Sequence, residues 1–316
     1  MRLNINEMDP RPSAGGFVQV QAFSKINLIL EVLEKRPDGY HEIKSVMQSL
    51  LLHDTVTIRN GGISHAANFQ LICSDPSLPT DDRNLVTRCA KYMMQEYGIT
   101  GPISICLEKH IPVAAGLAGG SSDCAATLLG LNDLFSLNIP LHSTTQVSLM
   151  EIGRQFGADV PFCLMANANQ INAATQSSIT ALAEGIGERL TLLPPHPNTW
   201  IVLACPDIPV STADIFGRYK ATTLTSSLTP AMIQALTKGD LQSIAANFKN
   251  DLTQITAELH PEIQSIINEM INQGAIGTAM SGSGPSVFGY FSNKESAEKA
   301  QEKLQSIAGR AFLTHI

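Results

Sequence analysis

Neither of the two common phosphate-loop patterns, G-x-x-x-x-G-K-[ST] and G-x-G-x-x-G, occurs in this chain of 316 residues. No basic run exceeds two residues and the formal net charge is −7, which argues against a nucleic-acid partner. There is no C-x-x-C, no H-E-x-x-H and no Cys/His cluster, so a zinc site is not expected. Cys73, Cys89, Cys106, Cys124, Cys163 and Cys205 read instead as free thiols, mostly within apolar runs, in a reducing compartment. No apolar run approaches the ~20 residues of a membrane span. The first sixteen residues, "MRLNINEMDPRPSAGG", contain acids and lack an apolar core, so they read as a flexible lead-in and not as a signal peptide. With no transit peptide either, the expected location is a bacterial cytoplasm.

What is present is an ordinary globular composition, 44% hydrophobic and 16% charged, on a chain long enough for two cores. Alternation from Val18 to Leu33 predicts a long strand. "RPDGYH" (36–41) is a turn, with Pro37 setting φ and Gly39 permitting a positive one. "DTVTIRNGG" (54–62) predicts a strand ending in an Asn-Gly hairpin. Val86, Ala90 and Met93 predict a helix, and Ile103, Ile105 and Leu107 a strand. Another helix is expected to start near Ser121, with Cys124, Leu128, Leu131 and Phe135 on one face. Ser143 is expected to cap the next, which ends at Gly157. "ANANQINAATQSS" (166–178) reads as a polar surface loop or insertion. "TWIVLACP" (199–206) is a buried strand, helices follow to about Gln273, and "KESAEKAQEKLQSI" is an amphipathic helix. Strands dominate early and then mix with helices without regular βαβ alternation, so the fold class is α+β.

Four stretches carry chemistry. "PVAAGLAGGSSDCAA" (112–126) is a glycine-rich turn opening a helix. Its backbone N–H groups, the helix dipole and the Ser121 and Ser122 hydroxyls suit a phosphate; the plain alternative is a tight strand-to-helix turn. In "AFSKINLILEV", Lys25 and Asn27 share one strand face and make a polar wall, although a strand lysine is commonly a solvated edge residue. In "GADVPF", Asp159 is either a solvated loop carboxylate or, against Lys25, a group able to deprotonate a hydroxyl. "MSGSGPSVFGYF" (280–291) is a second small-residue turn, or a plain hairpin.

Together these stretches resemble the galactokinase–homoserine kinase–mevalonate kinase–phosphomevalonate kinase (GHMP) superfamily. Its three motifs match "FSKINLILEV", "PVAAGLAGGSSDCAA" and "MSGSGPSVFGYF". "RPDGYHE", "GADVPF", "AEGIGE" and "NDL" (250–252) make the chain most similar to the branch acting on cytidine diphosphate-linked methylerythritol. The resemblance implies a two-domain fold with a cleft, an N-terminal ATP-binding domain over 1–170 and a C-terminal kinase domain over 171–316. It implies phosphorylation of that polyol's 2-hydroxyl by ATP with Mg²⁺. Lys25 and Asp159 take the places of the catalytic pair. Asn84, Lys109 and the loop Pro112, Val113, Ala114, Ala115, Gly116, Leu117, Ala118, Gly119, Gly120, Ser121 and Ser122 take those of ATP-binding residues. Asn27, Tyr40, His41, Thr212 and Phe216 match substrate positions, with His41 reading the base edge and Tyr40 and Phe216 stacking on it.

The chain departs from that pattern in places. Ala114 and Ala118 stand where glycine is common, and Met47 where an aromatic often lines the cytidine pocket. An alanine at positive φ costs roughly 1 kcal/mol, so these two positions either have ordinary φ or form a different loop. A homoserine or mevalonate kinase is the first alternative, opposed by "RPDGYH". A non-catalytic relative is the second, opposed by the presence of both Lys25 and Asp159.

Overall fold

The computed structural model describes residues 16–61, 68–172, 178–220 and 227–316. In chain order the elements are β1 (Phe17–Lys35), β2 (His41–Asn60), β3 (Phe69–Cys73), α1 (Leu85–Glu96), β4 (Ile103–Glu108), α2 (Gly119–Leu134), α3 (Leu149–Arg154) and α4 (Val160–Asn172). Then come β5 (Thr180–Gly185), β6 (Arg189–Leu192), β7 (Trp200–Ala204), α5 (Thr212–Arg218), α6 (Thr229–Lys238), α7 (Leu241–Ala246) and β8 (Lys249–Asn250). The chain closes with α8 (Thr253–Leu259), α9 (Glu262–Asn272), β9 (Gly277–Met280), β10 (Val287–Phe291), α10 (Lys294–Ala308) and β11 (Ala311–His315). Helices and strands mix without doubly wound order, in keeping with the α+β reading. The six cysteines are free, and five of them are buried.

Two compact units divide the chain, and β1 and β2 each pass through both. One unit holds residues 1–23, 53–111 and 119–173. In it the last residues of β2 pair antiparallel with β4, from Thr55 opposite Glu108 to Asn60 opposite Ile103. β3 lies parallel to β4. Helix α2 packs between α1 and α4. Val86, Cys89, Ala90 and Met93 put the buried face of α1 at helical spacing.

The other unit holds residues 24–52, 112–118 and 174–316. Here the first half of β2 pairs antiparallel with β5, and β5 with β6. β8 lies parallel to β1 at Ile29 and Leu30. A second, antiparallel sheet runs β11-β7-β10-β9, and α9 and α10 pack on it. Their apolar faces (Ile263, Ile266 and Met270 on α9; Ala297, Ala300 and Leu304 on α10) share one core with Val202, Val287 and Phe291.

Four local expectations change. Asn60-Gly61 makes no hairpin to β3: β4 occupies the edge beside β2, and β3 joins the far side of β4. Ser143 caps no helix; its hydroxyl accepts from Thr145 N and Gln146 N in a local turn. The cap of α3 is Ser148, with Glu151 closing a reciprocal capping box. The 166–178 stretch is helical as far as Asn172, because Ala166, Asn167 and Ala168 are buried on α4. Residues 173–177 and the lead-in over 1–15 lie outside the described residues. Finally, α2 begins at Gly119, two residues earlier than expected.

A charged residue of β1 starts a helix far away in sequence. Helix α6 has no side-chain cap of its own. Glu31, 3% exposed, accepts from Ser227 Oγ (2.6 Å), Leu228 N (2.7 Å) and Thr229 Oγ1 (3.0 Å) instead. Burial alone would raise its pKa; these hydrogen bonds and Lys249 outweigh burial and hold it below 4.5. Its contribution is therefore present above pH 4.5 and lost as pH falls through the lower folded value. Glu31→Gln is expected to cost about 1–3 kcal/mol at neutral pH. Denaturant melts should show the gap between wild type and variant closing below pH 4.5.

Candidate active site

Loop 112–118 is bound through three successive carbonyls. Ala115 O accepts from Ser286 N (3.4 Å), Gly116 O from Ser281 Oγ (2.9 Å) and Leu117 O from Lys25 N (3.1 Å). With those carbonyls consumed by protein donors, what the loop can offer an anion is its N–H groups. Gly116 has φ +74°, and a Cβ there would lie 2.3 Å from Ser281 O. Gly282, φ +58°, faces it less tightly, with its Cβ position 3.3 Å from Gly116 O. Two backbones meet here at a distance only glycine permits.

The 281–286 turn joins β9 and β10 as a hairpin, with Met280 opposite Val287. It is also a hub. Asn250 Nδ2 donates to Met280 O (2.7 Å) and Gly282 O (2.8 Å). Thr256 Oγ1 donates to Ser283 O (3.1 Å). Gly282 N donates to Asn27 Oδ1 (2.9 Å), and the same oxygen accepts from Lys25 Nζ (2.8 Å). Asn27 in turn donates to Ser45 Oγ (2.8 Å). Lys25 and Asn27 are both buried. Lys25 is therefore no solvated edge residue, and the shared face read from the strand period is real.

Thr212, the first residue of α5, shares a 2.8 Å hydroxyl contact with Ser283. One turn later the same helix brings Phe216 to His41, with ring centroids 5.6 Å apart. Tyr219 meets the His41 ring edge-on at 6.1 Å, its hydroxyl fixed on Val32 O (3.0 Å). Burial, and then the charge of Lys35, push the His41 imidazole below 6.5. At neutral pH it is uncharged and offers one donor and one acceptor. Tyr40 is 61% exposed beside it in the chain. Met47 is buried on β2 opposite Ala181.

The remaining candidates fall in the other unit. Asp159 is half-buried and immediately precedes α4; its carbonyl accepts from Cys163 N (3.1 Å). Asn84 caps α1, accepting from Val86 N (2.9 Å) and donating to Pro79 O (2.8 Å). At the start of α2, Gly120 is exposed and Ser121 half-buried. The Ser122 hydroxyl points inward, to Asn167 Oδ1 (3.3 Å). Lys109 is buried between Asp54 and Asp123.

Family models for the GHMP kinases N terminal domain and the GHMP kinases C terminal match residues 84–167 and 232–310. The chain is 40% identical to the 4-diphosphocytidyl-2-C-methyl-D-erythritol kinase of Acetivibrio thermocellus, over 94% of this chain and 98% of that one. The chain belongs to the 4-diphosphocytidyl-2-C-methyl-D-erythritol kinase family. A crystal structure of 4-(cytidine 5'-diphospho)-2C-methyl-D-erythritol kinase matches with TM-score 0.75 and 30% identity, over 94% of this chain and 98% of that one. A homoserine kinase from Cytophaga hutchinsonii shares the fold, with TM-score 0.69 and 18% identity, over 96% of each chain.

Sequence reasoning for this kinase family missed Tyr219 and the roles of Asn250 and Thr256. Tyr219 was findable, since it follows Phe216 by three residues and sits just past the end of α5. Asn250 and Thr256 act on carbonyls of a distant turn, which no local pattern announces.

The two alanines that depart from the kinase family's glycines do not have ordinary backbone angles. Ala114 has φ +53° and Ala118 φ +58°. Each carries strain of about 1 kcal/mol. Ala118→Gly should raise stability by about 0.5–1 kcal/mol, read as a thermal shift of roughly 1–3 °C. Gly116→Ala meets backbone at Ser281 and should cost about 2–4 kcal/mol. Gly120→Ala, whose nearest neighbour is Leu85 Cδ1 at 3.9 Å, should melt within a degree or so of wild type.

Proposed function

We infer that the chain transfers the γ-phosphate of ATP to the 2-hydroxyl of 4-diphosphocytidyl-2-C-methyl-D-erythritol, releasing ADP, in the non-mevalonate route to isoprenoid precursors. One observation carries this reading beyond family membership. A continuous run of contacts links the His41 ring group to Lys25: from Phe216 along α5 to Thr212, then Ser283, Gly282, Asn27 and Lys25. A base reader and a buried ammonium are tied to one turn, which suits a substrate with a cytosine at one end and a reacting hydroxyl at the other.

In the proposed reaction the substrate hydroxyl oxygen attacks the γ-phosphorus and the bond from that phosphorus to the β-γ bridging oxygen breaks. Asp159 accepts the hydroxyl proton. Lys25, its direction fixed by Asn27, balances the developing negative charge. The N–H groups of 113–121 hold the ATP phosphates, so positioning and electrostatics supply most of the rate. Neutral His41 pairs with the polar edge of cytosine, Tyr40 and Phe216 stack on its faces, and Tyr219 holds the imidazole upright. Asn84 borders the adenine through the start of α1.

Mg²⁺ would arrive on ATP. Among the described residues no three His, Cys, Asp or Glu gather as a metal-binding group. The loop's donors are N–H groups, so phosphate oxygens and water would hold the cation. We place the boundary between the two matched family segments near residue 170, although residues 24–52 and 112–118 pack in the same compact unit as residues 174–316. A bacterial cytoplasm suits the six free thiols and the bacterial relatives.

Purified protein with Mg²⁺ and ATP should form ADP on addition of the cytidylyl polyol, and not with homoserine or mevalonate. The opposite preference would sink the assignment. Asp159→Ala is expected to lower kcat about 10²–10⁴-fold at an ATP KM close to wild type; intact turnover would remove Asp159 from the chemistry. KM for the cytidylyl substrate should rise as pH falls below 6.5, where His41 gains a proton. A His41→Gln variant should lose that pH dependence.

A further inference from the structure

Asp54, Lys109 and Asp123 form a buried ion cluster that the roles above do not use. Asp54, on β2, is fully buried and Asp123, on α2, is 3% exposed. The Lys109 ammonium, just after β4, donates to Asp54 Oδ2 and to Asp123 Oδ2, the latter at 2.7 Å. Asp54 Oδ1 accepts the N–H groups of His110 (2.5 Å) and Ile111 (2.8 Å). One carboxylate thus ties the end of β4 to β2, and the lysine ties both to the start of α2. Gly119 makes room for this: a Cβ there would lie 3.3 Å from Lys109 Nζ and 3.1 Å from Ile111 Cγ2.

Two carboxylates against one ammonium leave a negative charge in excess at a buried point. Asp123 Oδ1 has no hydrogen-bond partner among the described residues, which a neutral carboxyl tolerates and a carboxylate does not. Burial first, and Asp54 against the pull of Lys109, push Asp123 up to about 8. Lys109 itself is raised, since its two carboxylates outweigh burial, and stays charged. The thiols of Cys73 on β3 and Cys124 on α2 also feel the cluster, and burial pushes both up, so they are neutral near pH 7.

We propose that Asp54, Lys109 and Asp123 are positioning residues that fix the first turn of α2 for the ATP phosphates, with Lys109 acting through that turn and not by touching the nucleotide. The proposal rests on the reading of 112–122 as the ATP site. Its resting form is charge-balanced when Lys109 is protonated and Asp123 is neutral. When Asp123 ionises, an uncompensated charge appears under the turn and repels phosphate.

Titration calorimetry with MgATP on wild type, Asp54→Asn and Asp123→Asn tests this from about pH 7 to about pH 9.5. Wild-type Kd should rise about tenfold across that range, and that of Asp123→Asn should change less than about twofold. Asp54→Asn should bind ATP about tenfold more weakly than wild type near pH 7. A lysine touching ATP directly would be freed by Asp54→Asn and bind as tightly or more tightly, which would overturn the proposal. So would a wild-type profile that is flat, or one retained by Asp123→Asn. If Asp54→Asn does not fold, the comparison of wild type with Asp123→Asn decides alone. A wild type that binds no ATP overturns the kinase reading too, whereas one that binds with a flat profile overturns only the positioning role.

Discussion

The site depends on the approach of two backbones at Gly116 and Gly282. A side chain at Gly116 would overlap Ser281 O, so the loop at 112–118 can lie against the 281–286 turn only while glycine is there. That approach uses three loop carbonyls on protein donors, one of them the N–H of Lys25. It also puts Gly282 N on the Asn27 oxygen that orients the Lys25 ammonium. The loop at 112–118, the second turn and Lys25 are therefore held by one set of bonds. Ala114 and Ala118, both at positive φ, flank the three bonded residues, so the strain sits at the two ends of the anchored run.

Buried charge organises the rest. Glu31 reaches from β1 to start α6, and Asp54 and Asp123 hold Lys109 beside α2. Both devices put an ion at a helix start, with different protonation outcomes. Glu31 collects three hydrogen bonds and keeps its charge. Asp123 shares a single ammonium with a second carboxylate and loses its own. Burial pushes both carboxyls up; it is heavier on Asp123, where the single ammonium does not offset it, whereas three hydrogen bonds and Lys249 outweigh it at Glu31.

Much of this was legible in the sequence. Period-two alternation placed β1, and helical spacing placed α1 and α10, because those signals are local. The glycine-rich turn, the Lys25–Asn27 face and the "RPDGYH" turn were readable for the same reason. Other features were not. The Asn-Gly pair at 60–61 carries a hairpin signal, but pairing with β4 overrode it. Ser143 and Ser148 offer the same capping chemistry, and the reciprocal bond from Glu151 chose between them. The small polar residues from 166 on suggested a loop, yet burial of Ala166, Asn167 and Ala168 favours helix there.

By itself the sequence determined the kinds of chemistry available: a glycine- and serine-rich turn at a helix start, an ammonium and an amide on one strand face, and a histidine past a tight turn. These follow from residue types at short spacing, which the backbone geometry of one element converts directly into position. Only the tertiary structure decided what each polar group is bonded to. It gave Ser122 to Asn167, Asn84 to the cap of α1, Lys109 to two carboxylates, and Asn27 to both Lys25 and Gly282. Hydrogen-bond partners lie as much as 255 residues apart in the chain, and a buried polar group takes whichever partner the packing presents.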